Sequence, residues 1–288
     1  MRAMLWGLLV CCLGQARAAD IVLWPEGAPE PKVPGEPAEV VTKGKDGISR
    51  RTNVSSPRLV PYLPGEGVKR TGAAVVVVPG GGFGLLADEH EGSDACKWLA
   101  AQGIQAYLLV HRTPTSKHAE PNLGPAQDCQ RAVQVLRARS NEFGIDSKKI
   151  GVLGFSAGGQ VAAVACANES LAPVGGDKES VSHRPDFLLA IYAWKIYDPA
   201  KKALRADLPV SGKFPPTFIA QMGDDLGSLA QGSALLYLAL LENKVPAELH
   251  IYEKGGHGFG MNARAGAPGT KDWSARAMEW LRGRGLAN

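Results

Sequence analysis

From Ala73 onward, short and nearly continuous apolar runs alternate with longer segments whose apolar residues recur at helical spacing. Strands that are apolar at every position are buried on both faces, which is typical of a parallel sheet covered by helices. The six predicted strands are 73–78, 105–110, 150–154, 187–192, 217–221 and 248–252. The predicted helices are 94–102, 128–143, 157–167, 229–243 and 272–281. Because βαβ connections are right-handed, this order predicts an α/β fold with one mostly parallel, doubly wound sheet.

The segment between residues 24 and 67 differs in composition, since it is rich in proline, glycine and charged residues. Short β-prone pieces at 38–41 and 58–60 predict edge strands joined by turns. The chain has 288 residues and no internal repeat or long low-complexity linker. We therefore predict one domain over residues 20–288.

The first residues combine an early basic residue, an apolar run at 5–13 and small residues around Ala18. This order is typical of a secretory signal peptide, which we predict over residues 1–19. The apolar run is too short for a stable membrane span, so we expect cleavage and export to the periplasm or the extracellular space. A buried N-terminal helix and a lipid anchor on Cys11 or Cys12 are the alternatives.

Charge and cysteine content exclude several classes of protein. The formal net charge of +4 comes from 32 basic and 28 acidic residues scattered along the chain, which disfavours a nucleic-acid partner. Cys96, Cys129 and Cys166 have apolar neighbours and no zinc-type spacing, so we expect buried thiols and no metal site. The oligomeric state stays open.

Residues 154–158 match the motif G-x-S-x-G, with Ser156 at its centre, between a predicted strand and a helix of small residues. A serine at such a sharp turn projects its hydroxyl above the sheet as a nucleophile. The N–H of Ala157, at the helix N-terminus, can donate to an oxyanion that forms beside it. An ordinary serine in a glycine-rich turn is the alternative interpretation.

A glycine-rich run at residues 79–83 directly follows the first apolar strand, where hydrolases with this motif keep their other oxyanion donors. We predict Gly81 and Gly82 as donors, although this run begins with Pro79 where the better-known version has His. A tight turn or a phosphate nest is the alternative. The lysine and hydroxyl residue of a Walker loop are absent, which excludes that motif.

His257 lies in a glycine-flanked loop after the last predicted strand, where an imidazole can act as general base for the serine. The acid that orients it should follow the preceding strand, which ends close to Asp224 and Asp225. We choose Asp225, and Asp224 is the alternative. Glycine loop, Ser156, Asp225 and His257 then occur in the chain order of an α/β-hydrolase.

Several segments together resemble bacterial acetylxylan-esterase-like α/β-hydrolases. They are 79–83, 127–132, 143–146 and 150–159. The resemblance extends over most of the chain after about residue 71. It implies a catalytic domain that removes acyl groups from plant polysaccharide or related carbohydrate esters, with no cofactor and no metal. Two departures are Gln160, where many relatives carry His, and Leu226, where Pro commonly follows the acid.

The expected substrate is therefore a small-molecule or polysaccharide ester. The segment 168–184, which mixes glycine with charged residues, is a candidate lid or wall of the acyl pocket. Four aromatic residues near strand ends could stack on a sugar or simply pack in the core: Phe83, Tyr192, Trp194 and Phe259. Two other functions remain open, namely a serine peptidase of the prolyl-oligopeptidase type and a non-catalytic carbohydrate-binding protein on a hydrolase scaffold.

Overall fold

A computed structural model describes residues 18–171 and 181–288 of the chain. All but the last two residues of the predicted signal peptide lie outside the described residues, as do Cys11 and Cys12. Among the helices that are described, none has the length and hydropathy needed to cross a bilayer. Cleavage and export therefore stay predictions.

A single sheet of eight strands forms the centre of the molecule. The strands of the chain are β1 (Ile21–Val22), β2 (Val40–Lys43), β3 (Ser49–Thr52), β4 (Arg58–Tyr62), β5 (Ala74–Val78), β6 (Gln105–Val110), β7 (Ile150–Phe155), β8 (Phe187–Ile191), β9 (Tyr197–Asp198), β10 (Ala203–Leu204), β11 (Thr217–Met222) and β12 (Ala247–Tyr252). The order of the strands in the central sheet is β1-β4-β6-β5-β7-β8-β11-β12. In that order, the strands from β6 to β12 pair in parallel, whereas β4 and β1 add an antiparallel edge. All six predicted strands are present in the parallel part.

The apolar core is divided into two clusters by the sheet. In β5, Val76 and Val78 belong to one cluster, whereas Val75 and Val77 belong to the other. Successive side chains of a strand point to opposite faces, so a strand buried on both sides must be apolar at every position. This double burial explains the continuous valine run in the sequence.

Helices cover both faces of the sheet. They are α1 (Asp94–Ala100), α2 (Leu123–Ala138), α3 (Ser140–Phe143), α4 (Ser156–Ala167), α5 (Ala230–Glu242) and α6 (Gly269–Gly283), and a π-helical turn (Glu89–Ser93) precedes α1. The prediction of one helix over 128–143 was wrong in two respects. The helix starts at Leu123, because Pro125 is compatible with a first helical turn, and non-helical dihedral angles at Arg139 end it.

The N-terminal segment is attached to the sheet by what we call the anchor cluster: Trp24, Arg112, Gln127 and Asp128. Arg112 and Asp128 form an ion pair at 2.9 Å, and both side chains are fully buried. Arg112 Nη1 also donates to the carbonyl of Pro31 at 2.9 Å, and Trp24 Nε1 donates to Asp128 Oδ1 at 2.8 Å. The polar groups of this cluster are therefore bonded to one another, to the N-terminal segment and to α2.

Cys96, Cys129 and Cys166 are buried and free, as the sequence predicts. Burial raises the pKa of all three thiols, to about 12 for Cys129. A thiol that stays protonated is a poor nucleophile, so these residues act as small core side chains.

Candidate active site

Ser156 occupies the junction between a buried strand and a helix. β7 ends at Phe155, α4 begins at Ser156, and the serine has a positive φ of 51°. This turn brings the helix so close to β5 that a Cβ on Gly158 would lie 2.1 Å from the carbonyl oxygen of Val78. Glycine is required there for steric reasons, which is the physical basis of the second glycine in the motif.

The side chains of Ser156, His257 and Asp225 form a continuous hydrogen-bonded chain. Ser156 Oγ and His257 Nε2 are 2.7 Å apart. His257 Nδ1 is 2.8 Å from Asp225 Oδ2 and 3.1 Å from Oδ1. An imidazole with one nitrogen donating to a carboxylate presents its other nitrogen as an acceptor for a hydroxyl proton. The arrangement can therefore raise the nucleophilicity of the serine.

The two neighbouring aspartates have different surroundings. Asp225 is 1% exposed, and its Oδ1 accepts the backbone N–H groups of Gly227 and Ser228, each at 2.8 Å. Asp224 is exposed and accepts the N–H of Gly256 at 2.8 Å, which lowers the pKa of its carboxyl. Of the two candidates, Asp225 lies beside the imidazole. Asp224 supports the backbone of the histidine loop, which is the segment 253–268 between β12 and α6.

The glycine loop, residues 79–83, packs directly against the nucleophile. A Cβ on Gly80 would lie 2.6 Å from Ser156 Cβ. The N–H of Gly80 donates to Glu91 Oε2 at 2.9 Å and is therefore not free to bind a substrate oxygen. In the described part of the chain, no acceptor takes the N–H of Gly81 or Gly82. Ala157 is the second residue of α4, so its N–H has no partner within the helix.

A cavity of about 230 Å³ adjoins this loop and helix α4. Its lining residues are Gly82, Phe83, Ser116, Pro121, Asn122, Gln160, Trp194, Lys195 and Arg205. The exposed ammonium of Lys195 lies 4.2 Å from the centre of the Trp194 ring. Gln160 follows the nucleophile by four positions, about one helical turn along α4, so the cavity lies near the serine although Ser156 is not one of its lining residues.

The aromatic candidates for sugar stacking separate into two groups. Phe83 and Trp194 line the cavity, with ring centroids 5.8 Å apart. Tyr192 and Phe259 are fully buried and pack on each other at 4.4 Å, so for these two the stacking interpretation was wrong. Of the candidate lid, residues 172–180 lie outside the described residues.

Sequence reasoning did not single out Glu91, a buried carboxylate bonded to both the glycine loop and Tyr192. The available signal was a run of four charged or titratable residues, 88–91, in an otherwise buried region. Lys195 and Arg205 in the cavity wall were also missed, because they lie in irregular segments with little periodicity. No group of three or more potential metal-ligating side chains occurs within residues 18–171 and 181–288.

Comparison with known proteins adds a family context. A family model described as BD-FAE matches residues 61–187. The chain is 30% identical over 221 residues to an acetylxylan esterase from Xylanibacter ruminicola, a match covering 70% of this chain and 44% of that protein. It is 28% identical over 222 residues to endo-1,4-beta-xylanase B from Butyrivibrio fibrisolvens, covering 70% and 34% respectively. The matches thus span less than half of either curated relative.

A solved structure is similar over almost its entire length. The crystal structure of an acetyl ester-xyloside bifunctional hydrolase from Caldicellulosiruptor lactoaceticus has a TM-score of 0.72 and 30% sequence identity. The match covers 94% of this chain and 98% of that one. The glycine loop and the Ser156 turn lie within the region that the family model matches, whereas Asp225 and His257 lie beyond it.

Proposed function

Because the chain belongs to the acetylxylan-esterase-like family of α/β-hydrolases, we propose that it is a serine esterase that hydrolyses carboxylic esters. One observation carries this proposal: the unbroken hydrogen-bonded chain from Asp225 through His257 to the hydroxyl of Ser156. The α/β-hydrolase fold supports it, since the three residues follow separate strands in the expected order.

In the proposed reaction, His257 Nε2 takes the hydroxyl proton while Ser156 Oγ attacks the ester carbonyl carbon. The carbonyl π electrons become an oxyanion, which Gly81, Gly82 and Ala157 would stabilise through their backbone N–H groups. The C–O bond to the alcohol then breaks, and the imidazolium gives its proton to the leaving alcohol. Water repeats the sequence on the acyl-enzyme, which releases the acid and regenerates the serine.

Asp225 has a supporting role in this mechanism. It accepts a hydrogen bond from the Nδ1–H of His257, which fixes the imidazole orientation and stabilises the imidazolium that forms. The two backbone N–H groups that donate to Asp225 Oδ1 hold the carboxylate in place. Pre-oriented dipoles of this kind require no reorganisation during the reaction, which lowers its barrier.

For the substrate, we propose an acetyl ester on xylan or a related carbohydrate. This proposal is supported by the similarity to an acetylxylan esterase and to an acetyl ester-xyloside bifunctional hydrolase. A cavity of about 230 Å³ also leaves room for a small acyl group or part of a sugar ring. Xylan is extracellular, so this substrate also agrees with export through the predicted signal peptide.

The decisive experiment compares wild type with Ser156→Ala on acetylated xylan and on p-nitrophenyl acetate. Removing the nucleophile should lower kcat by at least about 10³-fold on both substrates. Ser274→Ala is a matched control, because it deletes an exposed hydroxyl of α6 that bonds only its own helix, at Lys271. It should leave kcat unchanged.

The outcomes separate the competing functions. Release of acetate from xylan that requires Ser156 would support the proposed substrate, while turnover of the small ester alone would restrict the proposal to a general esterase. A fluorophosphonate probe should label Ser156. Labelling with peptide cleavage and no ester hydrolysis would favour the peptidase, and no labelling would favour the binding protein.

A further inference from the structure

Glu91 is a buried carboxylate outside the Ser156, His257 and Asp225 chain. It lies on the π-helical turn Glu89–Ser93, and 3% of its surface is exposed. Its Oε2 accepts the N–H of Gly80 at 2.9 Å, and its Oε1 accepts the hydroxyl of Tyr192 at 2.8 Å. In the described part of the chain, His90, 3.9 Å away, is the one ion-pair partner within 4 Å.

Tyr192 extends this contact to the histidine loop. Its hydroxyl accepts the N–H of Gly260 at 2.8 Å, and its ring lies edge-on to the His257 ring at 5.2 Å. Full burial raises the pKa of the phenol well above its usual value, so the hydroxyl keeps the proton that it donates to Glu91. Backbone from the same segment also reaches the nucleophile, because Trp194 N–H donates to the carbonyl of Ser156 at 2.8 Å.

The backbone of the π-helical turn contacts the histidine loop a second time. The carbonyl of His90 accepts the N–H of Met261 at 2.8 Å. A Cβ on Gly260 would lie 2.4 Å from that carbonyl oxygen, so the two segments are in close contact. The turn therefore touches both loops that must be aligned around Ser156, and π-helical turns are frequently found at functional sites.

We propose that Glu91 and Tyr192 are positioning residues that hold the glycine loop and the histidine loop in register around Ser156. Burying a carboxylate without a closely bonded cation is costly, so a packing role alone does not account for it. By taking the N–H of Gly80, Glu91 also fixes which N–H groups of the loop, those of Gly81 and Gly82, remain for the oxyanion. This inference rests on the proposed function of Ser156.

Single substitutions remove defined bonds from this network. In Glu91→Gln, an NH2 donor replaces one acceptor oxygen, so either the Gly80 N–H loses its acceptor or the bond with the Tyr192 hydroxyl must reverse its direction. In Tyr192→Phe, Glu91 Oε1 loses its donor and the Gly260 N–H loses its acceptor. Misalignment of the two loops acts mainly on the transition state, so kcat should fall while KM changes little.

The experiment measures kcat, KM and thermal unfolding for both variants and the double variant with p-nitrophenyl acetate, well below the melting temperature. We expect kcat to fall about 10- to 100-fold in each single variant, with KM within about threefold. The double variant should lose less than the product of the two single losses, because both residues belong to one network.

Tyr107→Phe is the matched control. Its hydroxyl is also buried, but it donates to Gln105 at 3.2 Å, towards the opposite edge of the sheet. That variant should lower the melting temperature and leave kcat unchanged. Wild-type kcat in both Glu91→Gln and Tyr192→Phe, together with an inactive Ser156→Ala, would overturn this inference alone. Turnover that survives in Ser156→Ala would overturn the proposed function as well.

If Glu91→Gln does not fold, Tyr192→Phe decides the question, because it adds no polar group to the core. A fall in its kcat at unchanged KM supports the inference, and an unchanged kcat overturns it. The rate of inactivation by a fluorophosphonate should fall in parallel with kcat, since the phosphoryl oxygen needs the same donors.

Discussion

The anchor cluster and the catalytic edge both bury charged side chains, but they compensate the charge in different ways. By catalytic edge we mean Ser156, Asp225, His257 and Glu91, which lie at or beyond the carboxyl ends of the parallel strands. In the anchor cluster, Asp128 is neutralised by Arg112 at 2.9 Å, and backbone carbonyls satisfy the remaining donors. At the catalytic edge, Asp225 and Glu91 are held mainly by neutral N–H and O–H groups, and among the described residues an imidazole is the ion-pair partner within 4 Å of each. One cluster balances its charge completely, while the other keeps an excess of negative charge near a titratable base.

This difference indicates how buried charge can be interpreted in an enzyme. A complete ion pair fixes chain segments in space and takes no part in proton transfer. A carboxylate held by neutral donors has no cation to cancel its negative charge. That charge stabilises the imidazolium that forms on an adjacent imidazole during a reaction. Burial without a permanent cation does not by itself mark a catalytic group, because in our proposals Asp225 contacts the base His257 directly, whereas Glu91 acts through the two loops.

Replacing Asp225 at the catalytic edge should produce the largest effect on kcat. Asp225→Asn is expected to lower kcat by about 10³- to 10⁴-fold, because the amide presents the wrong partner to His257 Nδ1. The matched change Asp224→Asn keeps an acceptor for the Gly256 N–H and should alter kcat by less than about threefold. Steady-state kinetics on p-nitrophenyl acetate measures both. Equal losses in the two variants would remove the distinction between the aspartates.

Breaking the anchor cluster should instead affect stability. Asp128→Asn leaves Arg112 buried without its counter-ion, so the free energy of unfolding should fall by about 3 to 5 kcal/mol. Activity per folded molecule should stay within about twofold, since the cluster makes no contact with Ser156 or His257. Urea unfolding measures the stability, and counting active sites with a fluorophosphonate probe gives the activity per folded molecule. A fall in kcat with unchanged stability would contradict the comparison.

His111 bridges the two regions and should give the smallest effect. Its Nδ1 is 3.0 Å from the carbonyl of Arg112, and its Nε2 is 3.3 Å from that of Pro79 in the glycine loop. Burial lowers its pKa below the ordinary value of 6.5. As the pH falls, the unfolded chain therefore takes up a proton at a higher pH than the folded chain does. The stabilisation by neutral His111 is therefore fully present above that value and decreases as the pH falls.

The test of this pH dependence compares wild type with His111→Gln, which removes the titrating group and keeps an amide donor. The difference in unfolding free energy between the two proteins should become smaller between about pH 7.5 and about pH 5.5, by no more than about 1.4 kcal/mol per pH unit. Urea unfolding at both pH values measures the difference. A constant difference, or one that grows in acid, would show that burial does not lower the pKa of this histidine.

Much of the fold could be predicted from the sequence, because burial on both faces leaves continuous apolar runs. The comparisons confirm the predicted α/β-hydrolase class. The central strand 73–78 is observed as Ala74–Val78, within one residue of its predicted start. The start of α2 was missed, because Gly124 and Pro125 are typical of turns and nothing local shows that they fit the first helical turn.

The candidate site was predictable where a local motif carries it. Ser156 stands in a pentapeptide whose strand and helix context can be recognised in the sequence. The preference for Asp225 over Asp224 depends on which side chain is buried, and two adjacent acids after one strand give no local signal for that. The contact between Glu91 and Tyr192 joins residues 101 positions apart, and it forms only when the sheet has assembled.

The positive φ of 51° at Ser156 has a consequence for how this protein can change by mutation. Glycine adopts that conformation without the steric cost that a side chain incurs, so selection for stability alone would favour glycine at the nucleophile position. Directed evolution that screens only for thermal resistance or expression should therefore drift towards inactive proteins at this codon. Retaining the serine requires that every round of selection also measures turnover.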